Sequence, residues 1–391
     1  MLDTAAMSSA DDVFLRGTHP MTFCELAGAS HAVANWLGSQ GLVAGNRLLI
    51  ATSNHAESIA AAFGAARCGV TFAFLHPSIR PAGFRQIVEQ VEPSCLVLDS
   101  NTAHLRGIVR DLPLLTTDNT FIEGGAPLAD VLALNRSRRV DSVLSDPLCL
   151  VYTSGSTAEP RGVMVSHANV AFSVSAIQKR LKYQPDDTIG LYLPLSFDYG
   201  FYQLLLALAA RASIYVGAPE LVPLSLVESL EAERITVLPG IPLLFSALVR
   251  MLERNPLALP CLRAVTNTGE RLPSITIDRL RALFPQLDVF VMYGLTECKR
   301  VSILLPGELE AHAGSVGRPL DGTTVEVVGK DGSVVPDGTL GELVVRGPHV
   351  TMGYWRNPEE TARRFVTAAD GTRLLFTGDI CSRSADGYIY F

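Results

Sequence analysis

From Phe23 to Leu42 apolar residues recur at three- and four-residue spacing, which predicts a helix with one buried face. Gly45-Asn46 then turns the chain into Leu48-Leu-Ile-Ala-Thr52, a continuous apolar run that reads as a strand covered on both sides. The alternation repeats: a helix over about Glu57 to Arg67 leads into Val70–Leu75, and one over Ala82 to Val91 leads into Cys95–Asp99. Strands separated by helices predict a layered α/β unit with a mainly parallel sheet. A stretch rich in Arg, Asp and Ser, from Gly124 to Asp146, reads as a linker, and Leu148-Cys-Leu-Val-Tyr152 opens a second run of the same kind. Further strands are predicted near Ile189–Leu193, Ser213–Val216, Ile235–Leu238, Arg263–Thr266 and Val289–Met292, with helices over Leu224–Arg234 and Pro273–Leu283. From Gly314 the texture changes to short alternating strands with tight glycine turns, such as Thr323–Val328, Gly329–Gly332 and Gly341–Gly347. The expected architecture is therefore α/β, with sheet-containing subdomains over residues 1–145 and 146–313 and a small antiparallel β-barrel-like subdomain over 314–391.

Composition narrows the function classes. With 391 residues, 48% hydrophobic and 18% charged, the chain has ample material for a deep core and a dry cleft, and global disorder is excluded. The net charge of −7, with dispersed basic residues, gives no footprint for nucleic acid. Seven cysteines without a C-x-x-C pair read as reduced thiols and predict a cytoplasmic setting. The polar, acidic N-terminus lacks the features of a signal peptide, and the longest apolar run, Leu204–Ala210, is too short to span a bilayer, so no membrane partner is expected. Eight histidines lack metal-ligand spacing, which argues against zinc.

The most specific stretch runs from Leu150 through Tyr152-Thr-Ser-Gly-Ser-Thr-Ala-Glu-Pro-Arg-Gly162. A strand feeding a loop of glycine and small hydroxyl residues can aim successive N–H groups at phosphate oxygens, and the absence of G-x-x-x-x-G-K-[ST] excludes a Walker loop. Two later segments, Met292-Tyr-Gly-Leu-Thr-Glu297 and Phe376-Thr-Gly-Asp379, follow in a fixed order. On these motifs the chain resembles the N-terminal core of the adenylate-forming ligases, the superfamily of acyl-CoA synthetases, peptide-synthetase adenylation domains and luciferases. The resemblance implies that Thr153, Ser154, Gly155, Ser156 and Thr157 hold the β- and γ-phosphates of ATP. It implies further that Tyr293 offers a face to adenine, Thr296 meets the α-phosphate, Glu297 holds Mg2+, and Asp379 accepts the ribose hydroxyls. Asn267, Thr268, Gly269 and Glu270 resemble the loop on the other adenine face, although a plain strand-to-helix turn is equally compatible. Ala158 and Arg161 depart from the family's Gly and Lys; Arg161 keeps a catalytic cation with altered geometry.

Pro194-Leu-Ser-Phe-Asp-Tyr-Gly200 resembles the segment in which amino-acid-activating members set a carboxylate against the substrate ammonium, and Asp198 takes that position. Alternatively, Asp198 caps a helix starting at Tyr199. Motif spacing carries over Tyr199, Tyr202, Val265, Asn267, Met292, Arg300 and Val301 as pocket walls. Lys299 and Arg300 are unusual there; they either pair with protein carboxylates or face a second carboxylate on the substrate. The implied activity is ATP-dependent activation of a carboxylic acid, an amino acid of acidic or β type, as an acyl-adenylate. The acceptor is a carrier protein with a phosphopantetheine arm, or CoA. An acyl-CoA synthetase for a non-amino acid and a non-catalytic nucleotide-binding module are the alternatives. The family continues past Asp386-Gly-Tyr-Ile-Tyr-Phe391 into a hinge and a C-terminal lid, so the expected unit is a lid-less core that binds its ligands and turns over slowly.

Overall fold

The computed structural model describes residues 1–17, 19–118, 120–132, 144–153, 160–217 and 226–391. Ser154 to Thr157 of the phosphate loop, Arg136 to Arg139 of the linker and the first residues of the helix expected from Leu224 lie outside the described residues. Among the described residues the strands form sheets of seven, nine and five strands.

The seven-stranded sheet runs in the order Gly125–Pro127, Leu114–Thr116, Cys95–Leu98, Arg47–Ala51, Thr71–Leu75, Pro147–Thr153 and Arg161–Ser166. All neighbours are parallel except the last pair, a hairpin bracketing the phosphate loop. The nine-stranded sheet is parallel from Asp288–Tyr293 through Ala264–Asn267, Val237–Gly240, Thr188–Leu191 and Ser213–Val216 to Val13–Arg16. Antiparallel strands finish both edges. The third sheet, built on Thr324–Val328, Gly341–Arg346, Phe365–Thr367, Arg373–Arg383 and Ile389–Tyr390, is a small curled antiparallel half-barrel.

The sheets do not respect the sequence divisions expected at 145 and 313. Strands Pro147–Thr153 and Arg161–Ser166 join the first sheet, Val13–Arg16 joins the second, and Ser302–Leu304 with Arg318–Pro319 carries that second sheet past residue 313. Within the expected linker, Gly125–Pro127 is an edge strand and Leu128–Leu132 a short helix. Hydrogen-bonded edges recruit whichever strand lies beside them, and a local apolar pattern does not encode that choice.

Helix Asp198–Ala210 sets the site in place. All its residues but Ala209 are buried, as expected of a helix apolar on nearly every side. Phe201 meets Phe72 and Phe74 of the first sheet at 5.6 and 5.9 Å between ring centroids, while the Tyr199 hydroxyl donates to the Thr266 carbonyl of the second at 2.7 Å. The helix is thus wedged between the two sheets, with its first residue at the cleft. No helix among the described residues is long and apolar enough to cross a membrane.

Candidate functional site

Strand Asp288–Tyr293 ends in the Tyr-Gly-Leu-Thr-Glu segment, and the chain returns antiparallel through Ser302–Leu304. The Val301 N–H donates to the Tyr293 carbonyl at 2.9 Å and closes the loop, which places residues 294–297, Lys299 and Arg300 along a cavity of about 350 Å³. Phe197 and Asp198, Thr268 and Gly269 also line it, and Arg161 and Arg364 enter from the hairpin of Pro147–Thr153 and Arg161–Ser166 and from the helix before the half-barrel strand Phe365–Thr367. Carboxyl ends of parallel strands converge here, the usual position for a ligand in an α/β sheet.

Two buried cations stand at one end. The Lys299 ammonium lies 3.1 Å from an Asp198 carboxylate oxygen and 4.3 Å from the centre of the Tyr202 ring. Burial pulls Lys299 down to about 8, against the opposing attraction of Asp198. Arg300, 3% exposed, donates from Nη1 to the Thr268 hydroxyl and lies 5.4 Å from the Tyr199 ring. Its Nε has no partner, and among the described residues no carboxylate is within ion-pair distance of it. Asp198 is the first helical residue and makes no cap hydrogen bond, so the capping alternative is set aside in favour of the Lys299 pair.

At the other end, Glu297 accepts from the Tyr354 hydroxyl at 2.5 Å and from Arg364 at 2.8 Å, both on Oε1. Arg161 bonds Glu360 at 3.1 Å. Thr296 is half-buried and lines the cavity beside them. Tyr293 donates its hydroxyl to Asp379 at 2.6 Å, so the tyrosine of one motif and the carboxylate of another are already in contact. Asp379 itself is presented by a tight turn in which Gly378 has φ 78, the Thr377 hydroxyl accepts from the Asp379 N–H, and Gly378 N–H donates to Glu342.

The structure brings Arg161, Asp198, Thr268, Gly269, Thr296, Glu297, Lys299 and Arg300 to one cavity. Tyr199, Tyr202, Val265, Met292 and Val301, expected as pocket walls, are buried and sit behind that lining rather than in it. Asn267 is fully buried, and its amide has no hydrogen-bond partner among the described residues, which marks a place for a water or a ligand. Glu270 is exposed and starts no helix, the next helix being Ser274–Leu283. Sequence reasoning gave no role to Phe197, which lies within the segment that delivers Asp198, or to Tyr354 and Arg364. A second cavity of about 410 Å³, between Ser53, His76, Asn101 and Ser196, adjoins the loop that delivers Asp198. Next to it, His55 and the buried Asp99 are 3.5 Å apart, and that carboxylate raises the His55 pKa.

Residues 2–355 match the profile of the AMP-binding enzyme family. The L-proline–[L-prolyl-carrier protein] ligase of Streptomyces coelicolor is 30% identical over 100% of this chain and 76% of its own length. Gramicidin S synthase 2 of Aneurinibacillus migulanus is 27% identical over 95% of this chain, which spans only 8% of that protein. Among solved structures, VinN superimposes with a TM-score of 0.91 at 34% identity, covering 100% of this chain and 97% of VinN. Its complex with L-aspartate has a TM-score of 0.90 at 34% identity, and its complex with 3-methylaspartate 0.82 at 32%, again over 100% of this chain and over 96% and 97% of those chains.

Proposed function

The chain belongs to the AMP-binding enzyme family of adenylate-forming ligases, and on that premise we propose that it activates an amino acid bearing a second carboxylate, at the expense of ATP, for transfer to a carrier-protein thiol. The observation that carries the substrate class is Arg300: a buried guanidinium lining the cavity without a carboxylate partner among the described residues, beside the Asp198–Lys299 pair. An unpaired buried cation is costly, and a substrate carboxylate relieves that cost. Asp198 supplies the complementary charge for the substrate ammonium. The complexes of VinN with L-aspartate and 3-methylaspartate support the same reading, and the prolyl-carrier ligase supports a carrier protein as acceptor.

In the proposed reaction a carboxylate oxygen of the amino acid attacks the α-phosphorus of ATP and pyrophosphate leaves. The carrier thiol then attacks the acyl carbon and AMP leaves. The core contributes positioning and charge neutralisation. Thr296 and Arg161 face the phosphates, and Asp379 takes the ribose hydroxyls. No group of three or more metal-ligating side chains occurs among the described residues. That suits Mg2+, which keeps waters and binds through one or two carboxylates plus substrate phosphates. Glu297 fits the role, because both hydrogen bonds that described residues make to its carboxylate fall on Oε1. Bound there, Mg2+ neutralises phosphate charge.

Asp198→Asn and Arg300→Ala test the assignment by calorimetric titration. Each is expected to weaken L-aspartate by about 2–5 kcal/mol, roughly 30-fold or more, and to leave ATP within a few-fold. Preference for plain fatty or aromatic acids, with both substitutions silent, would overturn the substrate class and favour an acyl-CoA ligase.

A further inference from the structure

We propose that Arg364 is a positioning residue that holds the two nucleotide-contacting motifs, Glu297 and the Thr377-Gly378-Asp379 turn, at the spacing ATP requires. The inference rests on the adenylation reading above and adds to it a residue that neither motif contains.

Arg364 ends the short helix Pro358–Arg364 and turns its guanidinium into the cavity. A guanidinium offers five N–H donors in a fixed plane. Here Nη1 donates to Glu297 Oε1 at 2.8 Å and to the Tyr354 hydroxyl at 3.0 Å, Nε donates to the Phe376 carbonyl at 3.2 Å, and Nη2 donates to the Thr377 carbonyl. One rigid group therefore bonds both the carboxylate that closes the Tyr-Gly-Leu-Thr-Glu segment and the two carbonyls that immediately precede Gly378-Asp379. Tyr354 completes the arrangement by donating to the same Oε1.

The two motifs also meet directly through Tyr293, whose hydroxyl donates to Asp379 at 2.6 Å. That bond uses an oxygen the ribose hydroxyls claim when nucleotide enters. The Arg364 bonds use Glu297 Oε1 and backbone carbonyls, none of which the nucleotide needs. Arg364 is thus a connection that persists with ATP in place. Four of its five N–H donors are committed to protein acceptors on both sides, so its role is placement.

The test is a double-mutant cycle on the whole chain, read by calorimetric titration of ATP with Mg2+ and, separately, of L-aspartate. Arg364→Ala is expected to weaken ATP at least tenfold and L-aspartate less than twofold. In an Asp379→Ala background the same substitution is expected to change ATP affinity less than twofold, because a spacing has no effect once one end is gone. Arg364→Lys keeps one charged donor but cannot span both acceptors, and is expected to lie between the alanine variant and the parent. Equal losses for both ligands would mean general loosening of the fold and would overturn the proposal. An undiminished loss in the Asp379→Ala background, or no loss of ATP affinity at all, would do the same. If Arg364→Ala does not fold, Arg364→Lys decides by itself: unaltered ATP affinity sinks the idea, and a loss confined to ATP that vanishes with Asp379→Ala upholds it. A parent protein that takes up no ATP at millimolar concentration overturns the adenylation reading, and this proposal with it, whereas silent variants of an ATP-binding parent overturn only the role of Arg364.

Discussion

Lys299 carries two assignments that conflict in water and coexist only when buried. It neutralises Asp198 across 3.1 Å, and in the proposed complex its charge also serves the substrate's second carboxylate. Burial lowers its pKa to about 8, so the ammonium is mostly intact at neutral pH and is lost as pH rises through that value. Affinity for L-aspartate is therefore expected to be flat from pH 6 to 7 and to fall by up to tenfold per unit above about 8. Lys299→Arg, whose charge persists in alkali, isolates the effect, since it is expected to lose that limb while the titration of the ligand's own amine remains. Calorimetric titrations at a series of pH values read the difference, and identical alkaline limbs in the two proteins would show that Lys299 does not face the ligand. Neither the pairing nor the lowered pKa was legible in the sequence. Asp198 and Lys299 lie in separate segments, and both alternatives for the cation remained open until the helix and the loop were seen to meet.

The loop from Tyr293 to Arg300 shows how an element shapes the chemistry. A Cβ on Gly294 would lie 1.8 Å from the Lys299 carbonyl oxygen, so glycine is required there by close backbone approach. Across the loop, Lys299 has φ 57, a left-handed conformation that costs a non-glycine residue roughly 1–2 kcal/mol. The Asp198 ion pair and the Tyr202 ring hold it there. Gly294→Ala is expected to open the loop, with overpacking of about 1–3 kcal/mol in denaturant melts and a larger loss of L-aspartate than of ATP. An unchanged midpoint with unchanged affinities would mean that the loop relaxes freely. The elements around it were legible at this scale. Periodicity placed the strands over Ser213–Val216, Ala264–Asn267 and Asp288–Tyr293 and the helix over Ser274–Leu283 to within a few residues. It missed the edge strand Gly125–Pro127, whose polar surroundings resemble a linker and whose three residues are too few to show a period.

At the scale of the molecule, residues 347–355 lace the half-barrel to both larger sheets. Met352 and Gly353 exchange backbone hydrogen bonds with Met164 at 3.0 and 2.8 Å, Thr351 N–H donates to the Glu297 carbonyl at 2.9 Å, and the Asn169 amide donates to the Pro348 and Val350 carbonyls. His349 sits in this seam, 1% exposed and stacked on Phe172, with no hydrogen-bond partner for either ring nitrogen among the described residues. Burial lowers its pKa from 6.5 to about 4. The unfolded chain accordingly takes up this proton first as pH falls, so the contribution is intact above 6.5 and is lost on the way down to about 4, amounting to about 3 kcal/mol at most. His349→Leu is expected to flatten that part of the acid limb in denaturant melts between pH 7 and 4. An acid limb identical to the parent's would show that the histidine is hydrated or paired in solution.

The sequence by itself determined the class of fold, the change from helix-separated strands to a small antiparallel sheet near Gly314, and, by resemblance, the family, with Thr296, Glu297 and Asp379 as its candidate site residues. Those are local properties, since a period of two or of 3.6 residues and a motif of five are contained in the window that displays them. Tertiary structure alone decided that Val13–Arg16 pairs with Ser213–Val216, that the hairpin of Pro147–Thr153 and Arg161–Ser166 belongs to the first sheet, that Lys299 answers Asp198 while Arg300 stays without a carboxylate among the described residues, and that Arg364 reaches Glu297. Each of these is a choice among chemically equivalent partners. It is made by which surfaces bury most apolar area when the sheets close on the helix between them, and by the penalty for leaving a buried charge unmatched, and both quantities exist only once distant segments are packed together.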